Sequence, residues 1–288
     1  MNETWRVVHR SSDDRLRSLL SREEPLSTSM SERLRTERLD PRLRRGGRFY
    51  AFAGDTAVYQ GLGGTFYPLG LDRIHGENNL VTALAGHVEG GTAVRTIIGS
   101  SRDVQVLQGI LQRIPPKNRR YAVEYDLLAL AQPGPPEVGD PPDRELQIIQ
   151  PSPSQWRQLL SLQLAYEVEE VLMPGREPVP AYSRAHLIES LRNQLVLVGL
   201  WRGTVIARVS TNALGYRFGQ IGGVYTDPAW RRRGVSRWLM SHLLRELYEQ
   251  GRYASLFVKK SNPAAQALYR SMGFRFVSPF RISYYTRQ

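Results

Sequence analysis

The order of periodic segments predicts an α+β fold, a mixed and mostly antiparallel sheet flanked by helices, in two tandem copies. Three observations lead there. Residues 131–145 hold five prolines and two glycines, a composition compatible with neither a helix nor a central strand. This stretch divides 288 residues into two halves of ordinary domain size. Each half then repeats one order, two helices followed by three short strands, a helix, a strand, a second helix and a closing strand or strands. The three strands are separated by tight turns such as Trp201-Arg202-Gly203, a hairpin signal that makes the sheet mostly antiparallel.

In the first half, helices are expected over about 13–22 and 27–39, and strands over 48–53, 56–61 and 64–69. A helix over 78–88, a strand over 93–98, a helix over 103–113 and a strand over 121–130 follow. Gly61-Leu62-Gly63-Gly64 lies between two strands and opens no helix, so it reads as a hairpin and not as a nucleotide loop. His87 and Glu89 have no third ligand at metal spacing and read as surface residues. Arg42, Arg44, Arg45 and Arg48 read as a solvated helix end, and Arg119-Arg120 as the approach to a strand.

In the second half, a strand over 146–150 precedes a helix over about 154–172, capped by Ser152 or Ser154. A helix over 183–193 and strands over 195–201, 204–212 and 217–226 come next. The helix over 235–249 carries Val235, Trp238, Leu239, Leu243 and Leu247 on one stripe and ends at Gly251. A strand over 254–258, a helix from Asn262 and strands over 274–279 and 281–286 complete it. The expected domains are therefore 1–130, a linker at 131–145, and 146–288.

The most informative stretch is Val224-Tyr225-Thr226-Asp227-Pro228-Ala229-Trp230-Arg231-Arg232-Arg233-Gly234-Val235-Ser236. A β-rich run stops at Asp227-Pro228, a basic turn with one glycine follows, and then a long amphipathic helix. The first N–H groups of a helix lack intrahelical partners and sit at the positive end of its dipole. A strand feeding such a turn can hold a pyrophosphate. Residues 231–236 resemble the R/Q-x-x-G-x-G/A signature of the GNAT superfamily of acyl-CoA-dependent N-acyltransferases, with Ser236 at the last position in place of Gly or Ala. Downstream, Asn262 to Phe274 is similar to that family's N-x-x-A-x-x-L-Y-x-x-x-G-F segment at every defined position. Read from the residues alone, Asn262 is an N-cap, Pro263 a first helical residue and Gly273 a C′ residue. Ala265, Leu268 and Met272 are expected to face the core, and Tyr269 another side. The resemblance covers 146–288 and implies the GNAT fold there.

The resemblance also implies a reaction, direct transfer of an acetyl group from acetyl-CoA to an amine. The pyrophosphate would lie on backbone N–H groups from Arg232 to Arg237, beside Arg231, Arg232, Arg233, Gly234, Val235, Ser236 and Arg237. The pantetheine arm would pair like an added strand with Val224, Tyr225 and Thr226, and the N–H near Val224 would polarise the thioester carbonyl. Gly222-Gly223 suit a bulge or a close backbone approach. Tyr269 matches the general acid that protonates the CoA thiolate, and Asn262 a CoA contact. Where relatives place a base on the strand before the cradle, this chain offers Gln220, which cannot serve. Glu167, Glu169, Glu170, His186 and a water chain are the alternatives, and none is selected. Gly70 to Glu77, the first half's counterpart of the cradle, lacks the signature and carries two acids, so residues 1–130 read as a degenerate copy that does not bind CoA.

Composition narrows the rest. There is no cysteine, which excludes disulfides, a thiol nucleophile and thiolate metal sites; no metal is expected. Of 39 basic residues only Lys117, Lys259 and Lys260 are lysine, and the net charge is +12. No nucleic-acid module accompanies that charge, so nucleic acid is not an expected partner. No run approaches a membrane span, and the charged N-terminus has no leader-like apolar segment, so a cytoplasmic location is expected. The expected partners are acetyl-CoA and an amine acceptor, either a small molecule or a protein lysine, with a monomer preferred. The rival readings are a non-catalytic acetyl-CoA-binding or protein-interaction module and an aminoacyl-tRNA-dependent transferase, a class with no need of the cradle.

Overall fold

The structure is a computed structural model that describes residues 5–8, 13–37, 47–52, 55–61, 63–74, 94–111, 119–131, 137–173 and 175–286. The expected helix over 78–88, with His87 and Glu89, lies outside the described residues, as do Arg42, Arg44, Arg45, residues 75–77 and the 132–136 part of the proline-rich stretch. By contacts the chain forms two compact units: Met1–Leu128 with Phe257–Gln266 and Arg275–Gln288, and Ala129–Leu256 with Ala267–Phe274.

In the first unit, β1 (Arg6–Val8) precedes α1 (Asp14–Arg22) and α2 (Glu24–Thr36). The carboxylate of Asp13 caps α1 by accepting from Leu16 N at 2.8 Å, and Leu16, Leu19 and Leu20 bury one stripe at the spacing a helix requires. β2 (Arg48–Phe52), β3 (Thr56–Gln60), β4 (Thr65–Leu69) and β5 (Thr96–Ser100) follow, then α3 (Ser101–Leu111) and β6 (Arg119–Leu130). The pairs β2–β3 and β3–β4 are antiparallel and β4–β5 is parallel. Side chains alternate across a strand, and the core divides accordingly. Phe49, Ala51, Ala57 and Tyr59 pack with α1 and α2, while Tyr50, Val58 and Phe66 pack with Val104, Leu107 and Ile110 of α3. The Gly61–Gly64 stretch is the hairpin it resembled, with Gln60 opposite Phe66.

The two terminal strands expected over 274–279 and 281–286 are one strand, β12 (Arg275–Thr286), and it does not close the C-terminal half. Its residues 280–284 pair antiparallel with Ser100–Thr96 of β5, giving the order β1-β2-β3-β4-β5-β12-β6. Gln108 Nε2 donates to Ser283 Oγ at 2.7 Å beneath it. Pairing between segments so distant in sequence leaves no local pattern to read.

In the second unit, β7 (Leu146–Ile149) leads through a 3₁₀ turn to α4 (Trp156–Tyr166), which continues as a π-helical turn, Glu167–Val171. Then come α5 (Pro180–Asn193), β8 (Val196–Trp201), β9 (Thr204–Leu214), β10 (Phe218–Thr226), α6 (Val235–Glu249), β11 (Tyr253–Lys259) and α7 (Pro263–Ser271). The strand order is β11-β10-β9-β8-β7, antiparallel from β10 to β7 and parallel between β10 and β11. Leu159, Leu187 and Leu191 of α4 and α5 pack on Val196 and Val198. α6 buries Val235, Leu239, Met240, Leu243, Leu244 and Leu247, and truncating one such leucine to alanine costs about 2–5 kcal/mol. α7 corrects the sequence reading of its faces. Tyr269 is its buried residue at 7% exposure, whereas Ala265, Leu268 and Met272 are only half-buried.

Candidate active site

The site begins with a fault in β10. Gly222 lies opposite Ser210 and Tyr225 opposite Arg208, so Gly223 and Val224 together face one residue of β9. This is a β-bulge, which leaves an extra residue unpaired and re-aims the strand. The glycines are required for it. Gly223 has φ +60°, and a Cβ there would stand 2.6 Å from Ser210 Oγ. The parallel pairing with β11 covers Phe218–Ile221 and stops. Val224, Tyr225 and Thr226 therefore extend beyond that ladder with backbone available to an extended guest chain.

β10 ends at Asp227, whose carboxylate accepts from Ala229 N at 2.9 Å and starts a single 3₁₀ turn, Pro228–Trp230. The chain then turns through Arg232 at φ +61°, unusual for a side-chain-bearing residue, and Gly234 at φ +81° as N-cap of α6. A Cβ on Gly234 would find its nearest neighbour, Pro142 Cβ, at 3.9 Å. Gly234 is thus needed for its backbone angle, and the space above it is open to an anion. The first N–H groups of α6, from Val235 to Arg237, have no intrahelical acceptor by helix geometry. Ser236 Oγ and Thr226 Oγ1 are 2.7 Å apart, which ties the helix start to the strand end.

The arginine side chains of the cradle have partners of their own. Arg231 Nη2 donates to Glu169 Oε2 at 2.6 Å and its Nε to Thr226 O at 3.1 Å. The Tyr225 hydroxyl also donates to Glu169, at 3.2 Å. Arg233 lies over the Trp230 ring, and Arg237 Nη2 donates to Ser271 Oγ at 2.5 Å. Arg232 and Arg233 are exposed. The turn offers an anion its backbone and a positive surround.

Tyr269 belongs to the same unit. α7 closes behind it in a Schellman arrangement: Phe274 N donates to Tyr269 O and Gly273 N to Arg270 O, with the Phe274 ring 6.0 Å from that of Tyr269. This fixes the tyrosine by backbone and ring together. Burial pushes its phenol well above the ordinary value, and Tyr166 and the negative Glu170 push it further. Asn262 sits in the first unit, where its Oδ1 caps α7 by accepting from Ala265 N at 3.0 Å.

The candidate bases separate. Glu167 accepts from Gln163 Nε2 at 2.6 Å and from Ser183 Oγ at 2.5 Å, and Glu169 is paired with Arg231. His186 is exposed on α5 and Gln220 is buried on β10. Sequence reasoning missed Arg208, which is 4% exposed beneath the bulge; a lone arginine inside an apolar strand was the signal.

Residues 156–274 match the Acetyltransferase (GNAT) family. The chain is similar to the N-alpha-acetyltransferase RimI of Mycobacterium tuberculosis, 34% identical over 125 residues that cover 41% of this chain and 75% of that protein. It is also similar to the [ribosomal protein bS18]-alanine N-acetyltransferase of Salmonella typhimurium, 42% identical over 66 residues, 23% of this chain and 45% of that one, so it spans less than half the length of that relative. A Drosophila protein structure resembles it with TM-score 0.69 and 14% identity over 99% of both chains. A GCN5-related N-acetyltransferase from Kribbella flavida does so with TM-score 0.58 and 14% identity over 91% of this chain and 94% of its own. At those identities the structural likeness is one of fold.

Proposed function

The chain belongs to the GNAT acetyltransferase family, and on that premise we propose that it transfers the acetyl group of acetyl-CoA directly to a primary amine. The observation that carries this reading is the pairing of a bulged β10 with the open turn at Gly234. One offers strand backbone on the side that the ladder with β11 no longer covers and the other helix N–H groups, and an acyl-CoA is an extended amide chain ending in a diphosphate.

In this reading the N–H groups from Arg232 to Arg237 hold the pyrophosphate, within the positive surround of Arg231, Arg232, Arg233 and Arg237. Val224, Tyr225 and Thr226 pair with the pantetheine amides. The amine nitrogen attacks the thioester carbonyl carbon, and negative charge gathers on its oxygen, facing the N–H near Val224. Collapse breaks the carbon–sulfur bond. Tyr269 donates its phenolic proton to the leaving thiolate, the attacking nitrogen sheds its second proton to water as the amide forms, and the phenolate takes up a proton from that water. Its raised affinity for protons keeps it protonated at neutral pH, as a general acid requires. The surplus proton of the acceptor ammonium leaves before attack, to water or to a carboxylate at the end of α4.

The acceptor is an amine of a peptide or of a small molecule. The π-helical turn and the start of α5 expose Val168, Val171, Val179 and Tyr182 among Glu167, Glu169 and Glu170, a surface matched to a cationic group on an apolar stem. In the first unit the described part of the corresponding segment, residues 70–74, carries an acid of its own and a second acid against it. Asp103 Oδ1 accepts from Asp72 N at 3.2 Å, so two carboxylates lie together at this turn, a surround that repels a diphosphate. This supports a single acetyl-CoA site and the reading of the first half as a degenerate copy, although its sheet is completed by β12 and its bounds are not 1–130.

Calorimetric titration of acetyl-CoA into the whole chain tests the reading. One-to-one binding that Gly234→Glu abolishes, with turnover on a panel of N-terminal peptides and simple amines, is the expected result. Two-to-one binding would remove the single-site claim, and absence of binding the function itself.

A further inference from the structure

Arg208 is a buried cation with no acid in direct contact among the described residues. Its Nη1 donates to Gln163 Oε1 and its Nη2 to Ser210 Oγ at 3.1 Å, while its Nε has no hydrogen-bond partner among the described residues. The guanidinium carbon lies 5.9 Å from the centre of the Tyr166 ring. Its nearest chain of contacts to an acid runs through Gln163 to Glu167. Burying such a charge is expensive unless it is paired, and burial indeed lowers its proton affinity. For stability alone an apolar residue would serve this strand better.

Its placement states what the charge can do. Arg208 stands opposite Tyr225 at the far end of the bulge. A Cβ on Gly223 would lie 3.1 Å from Arg208 Nη2, so the guanidinium lies against the bulge backbone. Ser210, which accepts from Arg208, donates to Gly222 O at 3.0 Å. The bulge is thus held from behind by Arg208, through Ser210 to Gly222 and by direct packing on Gly223, beside the Tyr166 hydroxyl, which meets the Gly223 backbone, and the arginine is anchored in turn to α4 by Gln163.

We propose that Arg208 is a positioning residue for acetyl transfer: it fixes the Gly222–Val224 bulge and sets a positive potential behind the backbone N–H that meets the thioester oxygen. This rests on the acetyl-CoA reading above. It assigns to a side chain of β9 part of the charge stabilisation that a bare backbone donor would otherwise carry alone. Preorganised charge of this kind acts most strongly where water is excluded, and Arg208 is in such a place.

The test is isotope-edited infrared spectroscopy of acetyl-CoA carrying ¹³C at the thioester carbonyl, bound to the whole chain. It needs no knowledge of the acceptor. Binding to the unsubstituted protein is expected to move the carbonyl stretch to lower frequency. In Arg208→Met the band is expected to return most of the way to its free position while the Kd changes by less than about threefold, and turnover with an accepted amine falls about 10- to 100-fold. Arg208→Lys keeps a charge that cannot reach both Gln163 and Ser210, and should recover part of the shift. If Arg208→Met does not fold, Arg208→Lys and Ser210→Ala carry the test, each with an intermediate band. An unmoved band in every folded variant overturns the proposal, as does a loss of shift that only follows a loss of affinity. If the unsubstituted protein binds acetyl-CoA without any shift, the positioning role fails and the binding reading stands. If it does not bind, both fail.

Discussion

Replacing Tyr269 with phenylalanine removes one oxygen from a side chain that is 7% exposed and leaves its ring against Phe274 at 6.0 Å. The packing is preserved, and the Schellman closure of α7 uses only backbone atoms of Tyr269. The stability change should therefore stay within about 1 kcal/mol, the scale of one hydrogen-bonding group. Catalysis should respond differently. A positioned general acid contributes about 10²- to 10⁴-fold, which is about 3–5 kcal/mol of barrier at 1.36 kcal/mol per decade. The assay is release of free CoA thiol at saturating acetyl-CoA, with calorimetry for affinity and a melting curve for integrity. The expected outcome is a turnover number down by at least a hundredfold with Kd unchanged within about threefold. Turnover within threefold of the parent would show that another group or water protonates the thiolate. An equal loss of affinity and turnover would mean that the hydroxyl organises the site and is not its acid.

Gly223→Ala should be costly in both respects: φ +60° and a Cβ 2.6 Å from Ser210 Oγ together destabilise by about 2 kcal/mol, read as a lower melting temperature, and turnover falls as the bulge shifts. Glu169→Gln breaks an exposed pair with Arg231, so stability measured by denaturant should change by less than about 1 kcal/mol; a larger loss would show the pair to be structural. The pH profile has a defined sign. Burial raises the Tyr269 phenol, so this group holds its proton up to and beyond pH about 10 and turnover shows no alkaline fall from it below that pH. The same shift contributes stability that is complete below about pH 10 and lost as pH rises through the folded-state value. Asn262→Ala, removing the α7 cap, should cost about 1 kcal/mol in chemical denaturation.

Local chemistry was legible. Asn262, Pro263 and Gly273 stand where helix ends demand such residues, and Gly222-Gly223 signalled the bulge. Two features were hidden for a common reason. Ile206–Thr211 of β9 is buried throughout, so alternation could not separate its faces or show that Arg208 points under the bulge. In α7 the periodicity favoured Leu268 over Tyr269 because a tyrosine at a half-buried position is ordinary, and the preference was settled by what lies opposite the helix. The partner of β12 was likewise a matter of long-range pairing, for which a strand's own residues carry no address. The π-helical end of α4 had no sequence signature either.

The pairing of β12 with β5 has a temporal consequence. A ribosome delivers β5 long before β12, so the sheet of the first unit waits with a gap until the chain from Ser100 to Arg275 has been made. Until then the edges of β5 and β6 are open to other strands, the condition under which nascent chains aggregate or exchange segments. The two halves are therefore not exchangeable cassettes. A fragment cut at the proline-rich stretch would leave the first unit short of a strand, and an evolutionary loss of Arg275–Thr286 would be felt in a sheet whose other paired strand, β5, lies far earlier in the chain.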